Sequence, residues 1–186
     1  MNYILLLFSI FLYKFHVHAS NCICTTVACP IIGENKLVEG ISGKGIYYYE
    51  NHNDRPVVKN VHATITNIDL DEGTGTTSCT QHYSRMLDDE RMECDAGHIL
   101  AHRLGGPGNN PINIFPQKPG VNRGIFSSFE QKIYDCINNG SVTANLYWEF
   151  YYEDYLHTRP YEVHYNASFI GGNCNPIEEI FDNKGK

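Results

Sequence analysis

The chain predicts an α+β fold, a mostly antiparallel sheet carrying a loop-and-helix unit, and three stretches predict it. Val142 to Tyr152 alternates, with Val142, Ala144, Leu146, Trp148, Phe150 and Tyr152 on one face, the period of a half-buried strand. Phe126, Phe129, Ile133 and Ile137 recur at three- and four-residue steps and give a helix one apolar face. Ahead of that helix, Leu104 to Gly120 carries Gly and Pro throughout and reads as loop.

The elements follow in order. Tyr3 to Tyr13 is a short apolar run, followed by the small residues Val17 and Ala19. That is a secretory signal peptide over residues 1–19, cut between Ala19 and Ser20, although no Lys or Arg precedes the run. It is shorter than the about 20 apolar residues a spanning helix needs, and no later segment is apolar enough to span, so no stable membrane association is expected. Residues 20–186 read as one globular domain, with an N-terminal Cys-containing part at 20–78 and a core at 79–186. Cys22 to Gly43 is expected to be an irregular, stapled lead. Ile46 to Glu50 and Val57 to Ile68 read as strands around the turn-rich Asn51 to Asp54. The run Tyr47-Tyr48-Tyr49 fits a half-buried strand better than a base-stacking platform. Asp71 to Ser78 is a polar loop and Tyr83 to Arg91 a short helix. Asp95 to Ala101 fits a strand. Asn122 to Ile137 is the helix, closed by Asn138-Asn139-Gly140. Tyr161 to Ile170 is a strand after the turn at Thr158-Arg159-Pro160.

Seven cysteines, Cys22, Cys24, Cys29, Cys79, Cys94, Cys136 and Cys174, all lie beyond the proposed cleavage site, so most should be disulfides. Their spacing is not that of a zinc finger. The odd count leaves one free thiol or permits a disulfide-linked dimer. A bridge from Cys94 is expected to brace Asp95 and His98. Two sequons, at Asn139 and Asn166, fit a secreted glycoprotein. The net charge of −7 is the wrong sign for a protein that holds nucleic acid mainly by its overall charge. It leaves room for a local basic patch, and Arg103, Lys118, Arg123 and Lys132 cluster between Asp95 and Asp135. The acidic runs Asp69 to Glu72, Asp88 to Glu90 and Glu178 to Asp182 are expected to lie elsewhere.

That same stretch, Asp95 to Asp135, holds the chemistry. His98 in an apolar run, Asn122 at the start of the helix and Glu130 two turns on suit a one-metal phosphodiesterase site. The imidazole serves as base and the amide oxygen grips a hard cation that keeps most of its water. Each residue has a plainer reading. His98 could be a packed core histidine, or pair with His102 in a two-His metal site. Asn122 could be a helix cap, a role compatible with ligation. Glu130 could be a solvated charge beside Lys132 or Arg123. On a regular helix Glu130 lies about 12 Å of rise beyond Asn122, so water must bridge the two to a shared cation. Asn113 and Gln117 either fix turns or contact substrate, Arg103 and Arg123 are candidate phosphate clamps, and Arg159 either holds a hairpin or reaches the substrate. Asp95 orients the strand and loop.

Asp95-Ala96-Gly97-His98, then Arg103-Leu104-Gly105-Gly106, Asn113 through Pro116-Gln117, Asn122-Arg123-Gly124 and Glu130 resemble the DNA/RNA non-specific endonucleases, the ββα-metal or His-Me finger nucleases. The match spans about a quarter of the chain, with a looser likeness through Arg159-Pro160 to about Gly172. The resemblance implies a site unit of that type on the sheet and a metal-dependent endonuclease acting on DNA, RNA or both. It also implies Mg²⁺ or Mn²⁺ held by Asn122 as the one protein ligand, with Glu130 acting through the cation's water. His98 would be the base, and the products would carry 5′ phosphates. Many members have Arg between the Asp and the Gly, where this chain has Ala96. Whatever that arginine does for the phosphate is supplied elsewhere or missing. Ala96 and the acidic charge are the grounds for a rival reading, a secreted binding protein on this fold with catalysis lost.

Overall fold

The computed structural model describes residues 38–89 and 93–185; the proposed signal peptide and Cys22, Cys24 and Cys29 lie outside them. Six strands form one antiparallel sheet in the order β1 (Val38–Ser42), β2 (Gly45–His52), β3 (Arg55–Ile65), β6 (Thr143–Tyr151), β7 (Glu162–Ile170) and β8 (Ile177–Asp182). The described part of the segment before residue 78 supplies half the sheet, with β2 and β3 where strands were expected. β1 replaces part of the irregular stretch expected there, and its five residues, Val-Glu-Gly-Ile-Ser, carry no alternation that would have marked it. β8 was likewise unmarked: Ile177 to Asp182 holds two glutamates and an aspartate and buries only Phe181.

The hairpin between β2 and β3 turns on Asn53 and Asp54, both left-handed (φ 48° and 59°), the geometry that matches the twist of the paired strands. In β3 the alternation breaks where Tyr48 pairs with Asn60 but Tyr49 with Val58. The bulged residue, Lys59, lets both Val57 and Val58 be buried. Along β6 every second residue from Ala144 to Phe150 is buried, as its period requires.

The core lies between one sheet face and the unit inserted between β3 and β6. Helix α3 (Ser127–Asn138) lays Phe129, Ile133 and Ile137 on Trp148, Tyr165, Ala144 and Leu146. A smaller cluster, Val57, Tyr83, Leu87 and Ile114, seats helix α1 (Ser78–Met86), which starts five residues before the expected helix because Thr77 caps it by accepting from the Thr80 amide. β4 is only Asp95–His98, not Asp95 to Ala101, and pairs with β5 (Ile114–Gln117). β5 lies inside the expected loop. All four of its residues are buried, so it has no polar alternation to read. The expected Asn122 to Ile137 helix is broken. A single turn, α2 (Pro119–Val121), leads into a π turn over Asn122–Phe126, bent at Gly124 (φ −117°, ψ −105°), before α3 begins.

Three fastenings hold this unit down. Arg159, buried, pairs with the fully buried Asp88 and donates through Nε to the Asn183 carbonyl (3.1 Å). It holds the hairpin. Asn183 donates to the carbonyls of Pro116 (2.9 Å) and Pro160 (2.8 Å) and accepts from the Lys118 amide (2.7 Å). A disulfide joins Cys136, near the end of α3, to Cys174 beyond β7. Cys79 is also disulfide-bonded.

Candidate active site

The site grows from the end of β4. Gly97 and His98 alternate across the strand, so Gly97 faces inward and His98 faces the loop. A Cβ on Gly97 would sit 2.2 Å from the Gln117 side-chain oxygen, so only glycine lets β5 close against β4. The His98 Nε2 lies 3.0 Å from the carbonyl oxygen of Thr74. A carbonyl only accepts, so Nε2 carries the proton, and in the neutral ring Nδ1 is left with a free lone pair. Thr74 is fixed in turn. Its amide donates to Gly106 O (3.1 Å), its carbonyl also accepts from Gly108 N (2.9 Å), and its hydroxyl meets the Asn109 side chain (3.0 Å). A Cβ on Gly108 would fall 2.2 Å from His98 Nε2, so the loop passes too close for any side chain there. Burial lowers the His98 pKa from its ordinary value; the Thr74 bond opposes that and the nearby His102 adds to it.

Asn122 faces His98 across a cleft of ≈ 400 Å³ that is also lined by Asp71, Ala101, His102, Arg103, Ser127 and Glu130. The Asn122 amide nitrogen donates to Asp95 Oδ2 (2.9 Å), which fixes the amide's rotation and turns its oxygen away from the carboxylate. Asp95 also takes a bidentate bond from Arg123, Nε to Oδ2 (2.8 Å) and a terminal nitrogen to Oδ1 (2.5 Å). Asp95 pKa is lowered; burial opposes that, and the bonds from Arg123 and Asn122 outweigh it. Glu130 is buried and its Oε1 has no hydrogen-bond partner. Burial pushes its pKa up to about 8 against the pull of Arg103. A carboxylate left this way in a cleft wall is an oxygen donor waiting for positive charge.

The family model for DNA/RNA non-specific endonuclease matches residues 36–166, more than half of the chain. The chain belongs to that family. A curated relative, the probable deoxyribonuclease RhsA of Dickeya dadantii (strain 3937), is 40% identical over 106 residues, 56% of this chain. The chain spans only 7% of that protein's length. Among solved structures, NucA of Streptococcus agalactiae aligns with no metal bound at TM-score 0.52 and 11% identity, covering 87% of this chain and 76% of that one. Its magnesium-bound form gives 0.53 and 12%, covering 89% and 80%. EndoG in its complex with EndoGI gives 0.51 and 15%, covering 88% and 79%. These likenesses establish the fold, and the β4–β5 hairpin with α3 is its ββα-metal unit.

Within this family member, His98, Asn122, Glu130 and Arg103 line one cleft. The strand reasoning that joined His98 to His102 does not hold, because β4 stops at His98 and His102 sits in a 3₁₀ turn, yet both border the cleft. The helical rise between Asn122 and Glu130 does not apply either, since the π turn intervenes. Asn113 is corrected from substrate contact to loop fixing. It is fully buried, accepts from Leu100 N (2.8 Å) and Tyr47 OH (2.8 Å), and donates to Leu100 O (2.9 Å). Gln117 is equally buried, packs under Gly97, and leaves its Oε1 without a hydrogen-bond partner among the described residues. Arg123 is occupied by Asp95, so as a phosphate clamp it would have to share its fork. Arg103 bonds Gln131 and lies 4.3 Å over the Tyr134 ring.

The Cys94 expectation is overturned: it is a free thiol, 3.3 Å from the Ser84 hydroxyl, and burial raises its pKa to about 11. Tyr47 and Tyr49 point inward, Tyr49 donating to Ile112 O (2.5 Å), so neither is a stacking platform. Sequence reasoning missed Thr74, whose contribution is a backbone carbonyl, and Asp71, assigned to an acidic run away from the site. Asp71 borders the cleft and accepts from Tyr134 OH (2.7 Å). Of the expected basic cluster, Lys118 instead lies 3.9 Å from Asp182.

Proposed function

We propose that the chain is a divalent-metal-dependent endonuclease that hydrolyses phosphodiester bonds in DNA, RNA or both. The observation carrying this reading is the His98 imidazole held by Thr74 O with its Nδ1 free, in one cleft with a partnerless carboxylate oxygen of Glu130. His98 accepts a proton at Nδ1 from the attacking water. The fixed carbonyl keeps that tautomer and steadies the imidazolium that results. Asp95 aims the Asn122 oxygen into the cleft, and Arg103 supplies positive charge at its rim. An all-oxygen donor set of Asn122 and Glu130 fits a small hard cation, and its misfit without one, the raised Glu130 pKa, supports the same conclusion. When bound, such a cation supplies charge neutralisation on the phosphate and the departing 3′ oxygen. Mg²⁺ or Mn²⁺ suits the site, and the magnesium in the NucA structure supports that choice.

The likeness to a probable deoxyribonuclease makes DNA the first substrate to test. We also propose export, supported by the apolar N-terminal run, Ala19 and the Cys136–Cys174 disulfide, with glycan acceptors at Asn139 and Asn166. The secreted form should begin at Ser20, and a mature protein retaining Met1 would remove the export reading. The central test is plasmid nicking. Activity should vanish in chelator, return with Mg²⁺ or Mn²⁺, and be lost in a folded Asn122→Ala variant. Binding without nicking under every metal condition would instead favour the catalytically inactive binding protein.

A further inference from the structure

A second cleft of ≈ 350 Å³ adjoins the first, and Asn122 borders both. Its walls include Thr76, Gln81 and Arg85 on one side and Asp95, Ala96 and Arg123 on the other. The Asp95 charge there is already paired with Arg123, so among the described residues Arg85 adds a positive charge that no carboxylate pairs. The other described arginines are engaged: Arg55 bonds Met86 O, Arg103 bonds Gln131, Arg123 bonds Asp95 and Arg159 bonds Asp88. Arg85 is exposed and its guanidinium has no such bond among the described residues. Five free donors in a planar fork are suited to a phosphate.

Arg85 is also held in place. Its neighbour Ser84 is fully buried and donates to Asp95 O (3.1 Å) and Phe115 O (3.4 Å). Helix α1 is thereby pinned to both strands of the site hairpin, so Arg85 keeps a constant position relative to Asn122. Ala96 contributes only a methyl group to the lining of this cleft.

We infer that Arg85 binds the phosphate next to the one that is cut, so that a polynucleotide crosses from the His98 cleft over Asn122 into the Arg85 cleft. This rests on the nuclease reading above, because that reading says what lies in the first cleft. A substrate with one phosphodiester reaches only the first cleft, whereas a longer strand also engages the second.

The test uses wild type, Arg85→Ala and Arg85→Lys as full chains. Binding of a fluorescent single-stranded oligonucleotide is measured by anisotropy in chelator over a range of salt. Arg85→Ala should lower the slope of log K against log salt by about 0.7, one phosphate contact, and Arg85→Lys should keep it. In Mg²⁺, kcat/KM for the oligonucleotide should fall about ten-fold in Arg85→Ala, and for a dinucleotide at most about two-fold, the worth of one charge-assisted contact present only with the longer strand. An unchanged salt slope, or an equal fall on both substrates, overturns the assignment. A wild type that binds with an Arg85-dependent slope yet cuts nothing leaves the phosphate site standing and removes the nuclease reading. A wild type that binds no oligonucleotide in chelator overturns the Arg85 assignment, and if it also cuts nothing in Mg²⁺ the nuclease reading falls with it.

Discussion

Asn113 and Asn122 are the same side chain on the two faces of one site unit, and they differ in what is left unsatisfied. Beneath the loop, Asn113 has its oxygen and nitrogen bonded to Leu100 and Tyr47 with no exposed surface. At the cleft, Asn122 spends its nitrogen on Asp95 and keeps its oxygen. The same contrast holds for the acids: Asp88 is buried and paired with Arg159, whereas Glu130 is buried with its Oε1 unbonded. Fully paired buried groups stabilise a fold, whereas an unbonded buried carboxylate oxygen in a cleft wall is open to a cationic ligand. Asn113 is thus committed to the loop's structure, while Asn122 keeps an oxygen at the cleft.

The contrast is broken most directly by removing His98. His98→Ala should lower turnover by roughly 10²–10⁴-fold, the usual worth of a general base, with little loss of substrate affinity and a near-native melt. A near-native rate ends the base assignment. On the structural side, reducing Cys136–Cys174, which closes a separation of 38 residues, should remove about 4 kcal/mol of stability, read as an earlier midpoint in denaturant. Asn113→Ala leaves Leu100 N, Leu100 O and Tyr47 OH without a partner. It should destabilise by about 3 kcal/mol, while the molecules that remain folded keep their turnover. Lost turnover with an unchanged melt would mean that Asn113 touches substrate after all.

Metal sharpens the comparison. In chelator, the Glu130 pKa raised to about 8 means the folded state holds a proton that the unfolded state releases near 4.5. Stability contributed by the protonated form is therefore lost as pH rises from about 4.5 towards 8. Glu130→Gln should melt higher than wild type at the alkaline end of that window. Saturating Mg²⁺, at about 100 times Kd, should stabilise the wild type by about 2.7 kcal/mol and Glu130→Gln by less. Equal stabilisation of both would separate the cation from Glu130. The smallest effect is in acid. His98 titrates below its ordinary 6.5, so the activity it supports should persist below pH 6.5 and fall as pH drops through the lowered value. Its linked contribution to stability is present above 6.5 and lost over the same descent. An acid limb centred above 6.5 would point to a different group.

What was legible in the chain was whatever repeats with a period. The alternation of β6 and the face of Phe129, Ile133 and Ile137 were readable because each presents one side to the core. The site motif was readable through its resemblance, and His98, Asn122 and Glu130 do border one cleft. β5 was not, because a strand buried on both sides carries no polar beat. The π turn was not, because an inserted helical residue leaves the apolar spacing downstream intact. Cysteine counting cannot tell which thiol is left unpaired; among the described residues it is Cys94, tucked beside Ser84.

The bond from His98 to Thr74 is made by main chain, not by a side chain, and this determines which experiments can reveal it. Alanine scanning through residues 71–78 would trim the Thr74 hydroxyl, disturb its contact with Asn109, and leave the carbonyl where it was. Variation at position 74 can therefore be tolerant while the atom beneath it is indispensable. Changing loop length, or replacing the following amide with an ester to weaken that carbonyl as an acceptor, would expose what substitution conceals. Even a substitution tolerated at every position of the loop would leave its contour fixed, because Gly108 has no room to let the chain pass by another route.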